Sequence, residues 1–153
     1  MATSDYHLMP PPPAGRGRDL WLQHAAGLIL FEDVRGYARE RVDRGLDEAA
    51  LQASFKAIDD VLYGLMMVMD GVTGQLTNGS ETVRLTVNAE LELKGALIQA
   101  LNLRDEGDGM CMGFHGWLEG DYGEPLPAAP ARRRIAEGEA NEASQQSLSE
   151  RNI

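Results

Sequence analysis

A single cysteine, Cys111, is present in the whole 153-residue chain. One cysteine excludes an intramolecular disulfide and any zinc module built on four cysteines. Long apolar runs are also missing: a candidate such as residues 64–69 is far short of the roughly 20 residues that cross a bilayer. No basic segment followed by an apolar stretch opens the chain, so we expect no secretory signal, no membrane association and a cytoplasmic location.

Positive charge is scarce in the central part of the chain. The formal net charge is −10, and residues 19–124 hold eight Arg or Lys against nineteen Asp or Glu. Such a surface repels nucleic-acid phosphates, whose binding depends on Lys and Arg, so we expect no nucleic-acid partner. Opposite fields accelerate encounter, so the charge favours a basic protein partner. Solubility alone is the simpler explanation of the same charge.

Composition divides the chain into three segments. Residues 1–18 include four consecutive prolines followed by Gly-Arg-Gly-Arg, which is typical of a flexible, Pro/Gly-rich extended arm. Residues 125–153 are rich in Ala, Glu, Ser and Gln, which is typical of a disordered tail. The periodic apolar patterns all lie between these ends. The sequence therefore predicts one domain, residues 19–124.

Two segments have helical periodicity. In the first, over residues 20–42, apolar side chains recur at three- and four-residue steps, and Gly27 or Gly36 is the expected place of a break. In the second, an N-capping Asp47 and a terminal Gly71 enclose six apolar residues at alternating steps of four and three. These six are Leu51, Phe55, Ile58, Leu62, Leu65 and Met69. We expect the second helix to be the centre of the core.

From residue 82 the period changes to two. Every odd position from 83 to 93 is apolar and every even position from 82 to 94 is polar, which is the pattern of a strand with one solvated face. Its length of about 40 Å at 3.3 Å per residue predicts a bend or bulge. Turns at 94–95 and 105–109 then lead into two further strands, the last over residues 110–118. The predicted fold is α+β: two helices packed on one face of a three-stranded antiparallel meander.

Reactive side chains gather over residues 105–121. A cysteine nucleophile and its histidine base must sit within about 3 Å of each other. On a strand, Cys111 and His115 would be about 13 Å apart, too far for catalysis or for sharing a metal. In a helix they would be neighbours, but three glycines, at 109, 113 and 116, argue against a helix here.

Other chemical motifs are absent or incomplete. The acidic turn at 105–109 fails the EF-hand pattern at its first and twelfth positions, and a hairpin turn uses the same residue types. Neither a phosphate-binding glycine motif nor a serine nucleophile elbow occurs. The sequence therefore predicts no catalytic residue, no metal site and no cofactor, and it favours a protein that is not an enzyme.

One patch remains as a candidate binding site. It combines aromatic side chains, which dominate binding hot spots, with acids: His115, Trp117, Glu119, Asp121 and Tyr122. The leading hypothesis is a small acidic protein-binding module, an immunity-type neutraliser of a basic partner. One alternative is a small-ligand-binding protein or hydrolase with a pocket formed by His115, Glu119 and Asp121. Another is an obligate homodimer whose Trp-bearing face is the subunit interface.

Overall fold

The computed structural model describes residues 2–131 and shows an α+β fold, as predicted. Its α-helices are α1 (Arg16–Ile29), α2 (Tyr37–Glu40), α3 (Glu48–Met69) and α4 (Met110–Leu118). Its strands are β1 (Tyr6–Leu8), β2 (Gln75–Thr77), β3 (Thr82–Arg84), β4 (Asn88–Leu93), β5 (Ala96–Asn102) and β6 (Ala128–Pro130). A short 3₁₀ turn, Thr3–Asp5, precedes β1.

The first predicted helix does not break at either glycine. Between α1 and α2 the helical path continues as a π-helix, Leu30–Gly36, so the predicted break is wrong. Gly27 is instead a packing position, because a Cβ there would run into the Trp117 ring. A π-helix widens the coil by one residue per turn and often marks an irregular, functionally constrained segment.

Helix α3 begins and ends close to where the sequence predicts. The Asp47 carboxylate accepts a 2.8 Å hydrogen bond from the Ala50 amide, so the N-cap is confirmed. The helix ends at Met69, and Gly71 follows with φ 70°, the left-handed conformation that glycine favours. Its face towards the core buries Leu62, Met66 and Met69.

The strands form three separate two-stranded antiparallel sheets, β1–β6, β2–β3 and β4–β5. The turn at 94–95 is confirmed, with φ 52° at Lys94 and 79° at Gly95, as a type I′ hairpin requires. The expected bulge lies in this hairpin, where the register shifts between Leu91 and Glu92. The alternating segment is divided into β3 and β4, and its ends are not covered by helices.

The predicted third strand is wrong, because residues 110–118 are helix α4. Its buried side chains are Met110, Phe114 and Trp117, which follow helical steps of four and three. Both oxygens of the Asp70 carboxylate accept backbone amides at its start, from Met110 at 2.6 Å and Cys111 at 2.8 Å. The three-stranded meander is thus a two-stranded hairpin followed by a helix.

The core lies where α1, α3 and α4 meet the inner face of β4–β5. Its fully buried members include Trp21, Met66, Leu101, Met110 and Trp117. Within residues 2–131, no helix combines the length and apolar character that spanning a membrane requires.

Two strands lie outside the predicted domain of residues 19–124. Strand β1 comes from the predicted arm and β6 from the start of the predicted tail, and they pair from Tyr6 opposite Pro130 to Leu8 opposite Ala128. Residues 6–8 and 128–130 are therefore part of the folded unit rather than of detached ends. The remainder of the predicted tail, 132–153, lies outside the described residues.

Candidate functional site

The five predicted binding residues lie on α4 and on the loop that follows it, but they do not form one exposed patch. Trp117 is buried, Tyr122 is half-buried, and His115, Glu119 and Asp121 are exposed. The sequence was interpreted with Trp117 on the solvated face of a strand. In a helix its side chain points towards the core.

Trp117 fills the interface between α1 and α4. Only 2% of its surface is exposed, and its ring packs where Gly27 of α1 and Gly113 of α4 leave no side chain in the way. Its indole Nε1–H donates a 2.9 Å hydrogen bond to Nδ1 of His24. Trp117 is therefore a core residue, and a partner protein would not contact it.

Tyr122 covers the outer side of that indole. The two rings are nearly parallel, at 10°, with centroids 6.4 Å apart. Burial, together with the nearby Glu32 carboxylate, raises the pKa of Tyr122 to about 12. The phenol is consequently neutral at physiological pH, and it extends the aromatic cluster of Phe31, Phe114 and Trp117.

His24 has a defined tautomer because of the indole. Nδ1 accepts the Trp117 proton, so the neutral ring carries its own proton on Nε2. Burial lowers the pKa of His24, although the carboxylates of Asp121 and Asp108 oppose that shift. A Cβ on Gly123 would lie 2.8 Å from Nε2, so the loop after α4 passes directly over the imidazole.

The two loops that flank α4 both contact α1, the first by hydrogen bonds and the second by packing. In the first, residues 104–109, buried Gln23 donates to the Gly109 carbonyl at 3.0 Å and accepts from the Asp108 amide at 2.7 Å. In the second, residues 119–124, the backbone crosses His24 and the Asp121 amide donates to the Gly116 carbonyl at 2.9 Å. Gln23 of α1 thus holds the first loop by two hydrogen bonds, and the neighbouring His24 lies against the second.

These loops, which we call the acidic loops, concentrate negative charge. They contain six exposed acids, Asp105, Glu106, Asp108, Glu119, Asp121 and Glu124. Arg104 is their single base, and it lies half-buried against Gly71. Arg16 pairs with Asp108 at 2.5 Å. The sequence shows these acids in two separate turns. It does not show that both turns lie beside α1.

Cys111 and His115 are closer than a strand would place them. They lie one helical turn apart on the same face of α4, so the argument from a 13 Å separation is wrong. They nevertheless share no hydrogen bond within the described part of the chain. Burial and the Asp70 carboxylate raise the pKa of the Cys111 thiol to about 11, against an opposing hydrogen bond from Tyr63. The thiol is protonated at neutral pH and is a poor nucleophile.

The alternative pocket of His115, Glu119 and Asp121 does not converge. His115 lies beside Tyr63 of α3, with ring centroids 6.0 Å apart, whereas Asp121 lies on the α1 side near His24. Across residues 2–131, no group of three or more His, Cys, Asp or Glu side chains is arranged to hold a metal ion. These side chains do not form a constellation for hydrolysis.

Two open apolar grooves are lined by other residues. One, of about 270 Å³, runs between the π-helix and α3, past Val34, Val61 and Leu65. The other, of about 240 Å³, runs between α1 and β4, past Ile29 and Ala89. Their linings are mainly aliphatic, with Arg35 in the first groove and Asn88 and Glu90 in the second, so neither groove presents an acid–base pair to a substrate.

No family model matches the chain, and neither a curated protein nor a solved structure matches it.

Proposed function

We propose that this protein is a non-enzymatic binding protein that contacts a basic protein partner through the acidic loops. The observation that carries the proposal is the arrangement of six exposed carboxylates on two loops beside α1, the first hydrogen-bonded to Gln23 and the second lying against His24. The finer form of the proposal is an immunity-type neutraliser, in which these carboxylates occupy a basic surface of the partner.

Fixed loops suit such a role better than mobile ones. Ordering a loop on binding costs free energy, and a loop already held in place does not incur that cost. Gln23 is almost fully buried, and both of its amide atoms are bonded to the first acidic loop. The charges of the first acidic loop are therefore presented in a set geometry, which favours both rapid encounter and selection of a complementary basic surface.

The structure changes which side chains the proposal uses. Trp117 is removed as an anchor because it is buried, and Tyr122 of the second acidic loop is half-buried against Trp117 and Phe31. Glu119 and Asp121 remain, joined by the acids of the first loop. An enzymatic function is disfavoured by the protonated Cys111 thiol and by the separation of His115 from Asp121.

The test begins with affinity capture of the partner from the native host, using the full chain. Binding of the purified partner is then measured by surface plasmon resonance against a loop variant with Asp105→Asn, Glu119→Gln and Glu124→Gln. A matched control carries Glu48→Gln, Asp60→Asn and Glu92→Gln, which removes the same charge from α3 and β4.

The loop variant should lower the association rate at least about tenfold at low salt, and the control by less than about threefold. The difference should shrink at 1 M salt, where the screening length is only about 3 Å. Equal losses in the two variants would mean that net charge, rather than the acidic loops, governs binding, and the proposal would be rejected.

A further inference from the structure

The His24 imidazole is close to α4 and to both acidic loops. On the α4 side, its Nδ1 accepts the Trp117 indole proton at 2.9 Å. On the side of the second acidic loop, its Nε2 faces Gly123, where an added Cβ would lie 2.8 Å away. The carboxylates of Asp108 and Asp121, one from each loop, are near enough to act on its charge. One titratable ring is therefore in contact with a core tryptophan and under the influence of both acidic loops.

Among the described residues, the charges that act on His24 are negative. Asp121 belongs to the second acidic loop and Asp108 to the first, where Arg16 is the ion-pair partner of Asp108. From α4 the ring meets the neutral Trp117 indole, and its neighbours within four positions on α1 carry no charge. Burial, the larger influence, lowers the pKa of His24, and the two carboxylates raise it. Its protonation therefore depends on what else binds those carboxylates.

Asp121 gives the second acidic loop its shape. Its Oδ1 accepts the Gly123 amide at 2.9 Å, which closes the turn that passes over the imidazole. Gly123 has φ 72° and no room for a side chain, so this turn fits closely on the ring. A protonated His24 ring is a charged donor, and a carboxylate binds a charged donor more strongly than a neutral amide. Asp121 thus has two competing partners, its own loop and the ring.

Protonation of His24 removes one contact and creates another. The neutral ring offers Nδ1 as an acceptor, whereas the imidazolium has two donors and no acceptor. The Trp117 indole then loses its partner in a buried site. The imidazolium attracts the Asp121 carboxylate, which competes with the bond from Asp121 to the Gly123 amide. Both changes act against the present arrangement of the second acidic loop.

We propose that His24 is a pH-sensitive switch: the neutral ring binds the Trp117 indole and leaves Asp121 to close the second acidic loop, and the protonated ring releases the indole, pairs with Asp121 and weakens the binding of a basic partner. The effect on binding rests on the function proposed above. Such coupling is reciprocal. Basic groups of a partner placed on Asp108 and Asp121 cancel the charges that favour the imidazolium, so the partner and the proton each disfavour the other.

The free protein tests the switch without any partner. In a ¹H–¹⁵N correlation spectrum the chain has two indole N–H signals, from Trp21 and Trp117. Between pH 7.5 and pH 5.0 the Trp117 signal should shift with the midpoint of the His24 imidazole titration, and the Gly123 amide signal should shift with it. Trp21 is the internal control, because its indole donates to the Leu126 carbonyl, which does not titrate.

Binding is measured with a decalysine peptide, whose charge is constant over this pH range. Its dissociation constant, measured by calorimetry at low salt, should rise about fivefold or more between pH 7.5 and pH 5.0. In His24→Asn the amide oxygen accepts the indole proton without titrating, so the rise should be less than about twofold. His115→Asn is the matched control, because His115 is exposed on α4 and lies beside Tyr63 of α3, and it should keep most of the rise.

A Trp117 indole signal or a Gly123 amide signal that does not follow the His24 titration would overturn the switch. So would a dissociation constant that is the same at both pH values, or that rises equally in His24→Asn. Both NMR signals are read on the unmodified protein, so the switch is tested even where a variant does not fold. If the acidic-loop variant binds decalysine as tightly as the unmodified protein, the acidic-loop function fails, and the two NMR signals alone decide the switch.

Discussion

The Trp117 indole donates its Nε1–H to Nδ1 of His24, and this 2.9 Å hydrogen bond joins α4 to α1 in the middle of the molecule. It makes the folded state depend on the protonation of one imidazole. When His24 is neutral, Nδ1 accepts the indole proton. When His24 is protonated, both ring nitrogens become donors, and the indole N–H loses its acceptor in a buried site.

Stability should therefore fall in mild acid. Burial lowers the pKa of His24 in the folded protein below its ordinary value of 6.5, so the unfolded chain takes up the proton more readily. The stabilising contribution is complete above about pH 6.5 and is lost as the pH falls through the folded pKa. Urea unfolding measured between pH 8 and pH 5 should show this decline.

An asparagine at position 24 provides the control for that dependence, because its amide oxygen can accept from the indole but does not titrate. His24→Asn should be less dependent on pH over the same range. An equal decline in the variant would show that His24 is not the group responsible for the loss of stability.

Two helical glycines should respond to alanine in opposite directions. Alanine normally stabilises a helix interior by about 0.8–1.0 kcal/mol relative to glycine. Gly64→Ala should show that gain, because nothing lies within 4 Å of the added Cβ. Gly27→Ala should instead destabilise by about 1–3 kcal/mol, because its Cβ overlaps the Trp117 ring. Denaturant midpoints of the two variants decide the matter, and a stabilising Gly27→Ala would show that Trp117 does not pack on α1 in this way.

The Cys111 thiol should be slow to alkylate. Its pKa of about 11, compared with 9.0 for a free thiol, reduces the thiolate fraction at neutral pH about 100-fold. Iodoacetamide labelling of the folded protein should therefore be far slower than labelling of the urea-unfolded chain. Asp70→Asn should accelerate labelling by removing the neighbouring negative charge.

The same Asp70→Asn variant should lose about 0.5–2 kcal/mol of stability, because the carboxylate caps the first two amides of α4. A fast-reacting thiol in the unmodified protein would contradict the protonated state and would reopen the case for Cys111 chemistry.

Helix α4 shows where the sequence was misinterpreted. Glycines at 109, 113 and 116 argued for an extended chain, because glycine is a poor helix former. Gly113 is present for a tertiary reason: with Gly27, it makes room for the Trp117 ring. The spacing of Met110, Phe114 and Trp117 already contained the helical period, but residues 110–118 also alternate in part, and short apolar runs are ambiguous between the two periods.

The local signals were reliable where one chemical group determined the geometry. The N-cap at Asp47 and the type I′ turn at 94–95 follow from side-chain and backbone requirements within a few residues. The attachment of the acidic loops could not be predicted, because it depends on Gln23 contacting residues more than 80 positions away. The exposure of Val83 and Leu93 at the ends of the alternating segment could not be predicted either, because alternation identifies an apolar face but not what covers it.

The β1–β6 pair acts as a clasp between two parts of the chain about 120 residues apart. Three paired residues on each side, with a further bond from Ala131 to Asp5, cannot offset the entropy of closing so long a loop by themselves. The β1–β6 pair must therefore form after the helices have packed and brought the two strands together. On unfolding, it should open before the helices separate. Amide hydrogens of residues 6–8, 128 and 129 should then exchange with solvent before those of α1, α3 and α4, through an opening that leaves the aromatic cluster closed.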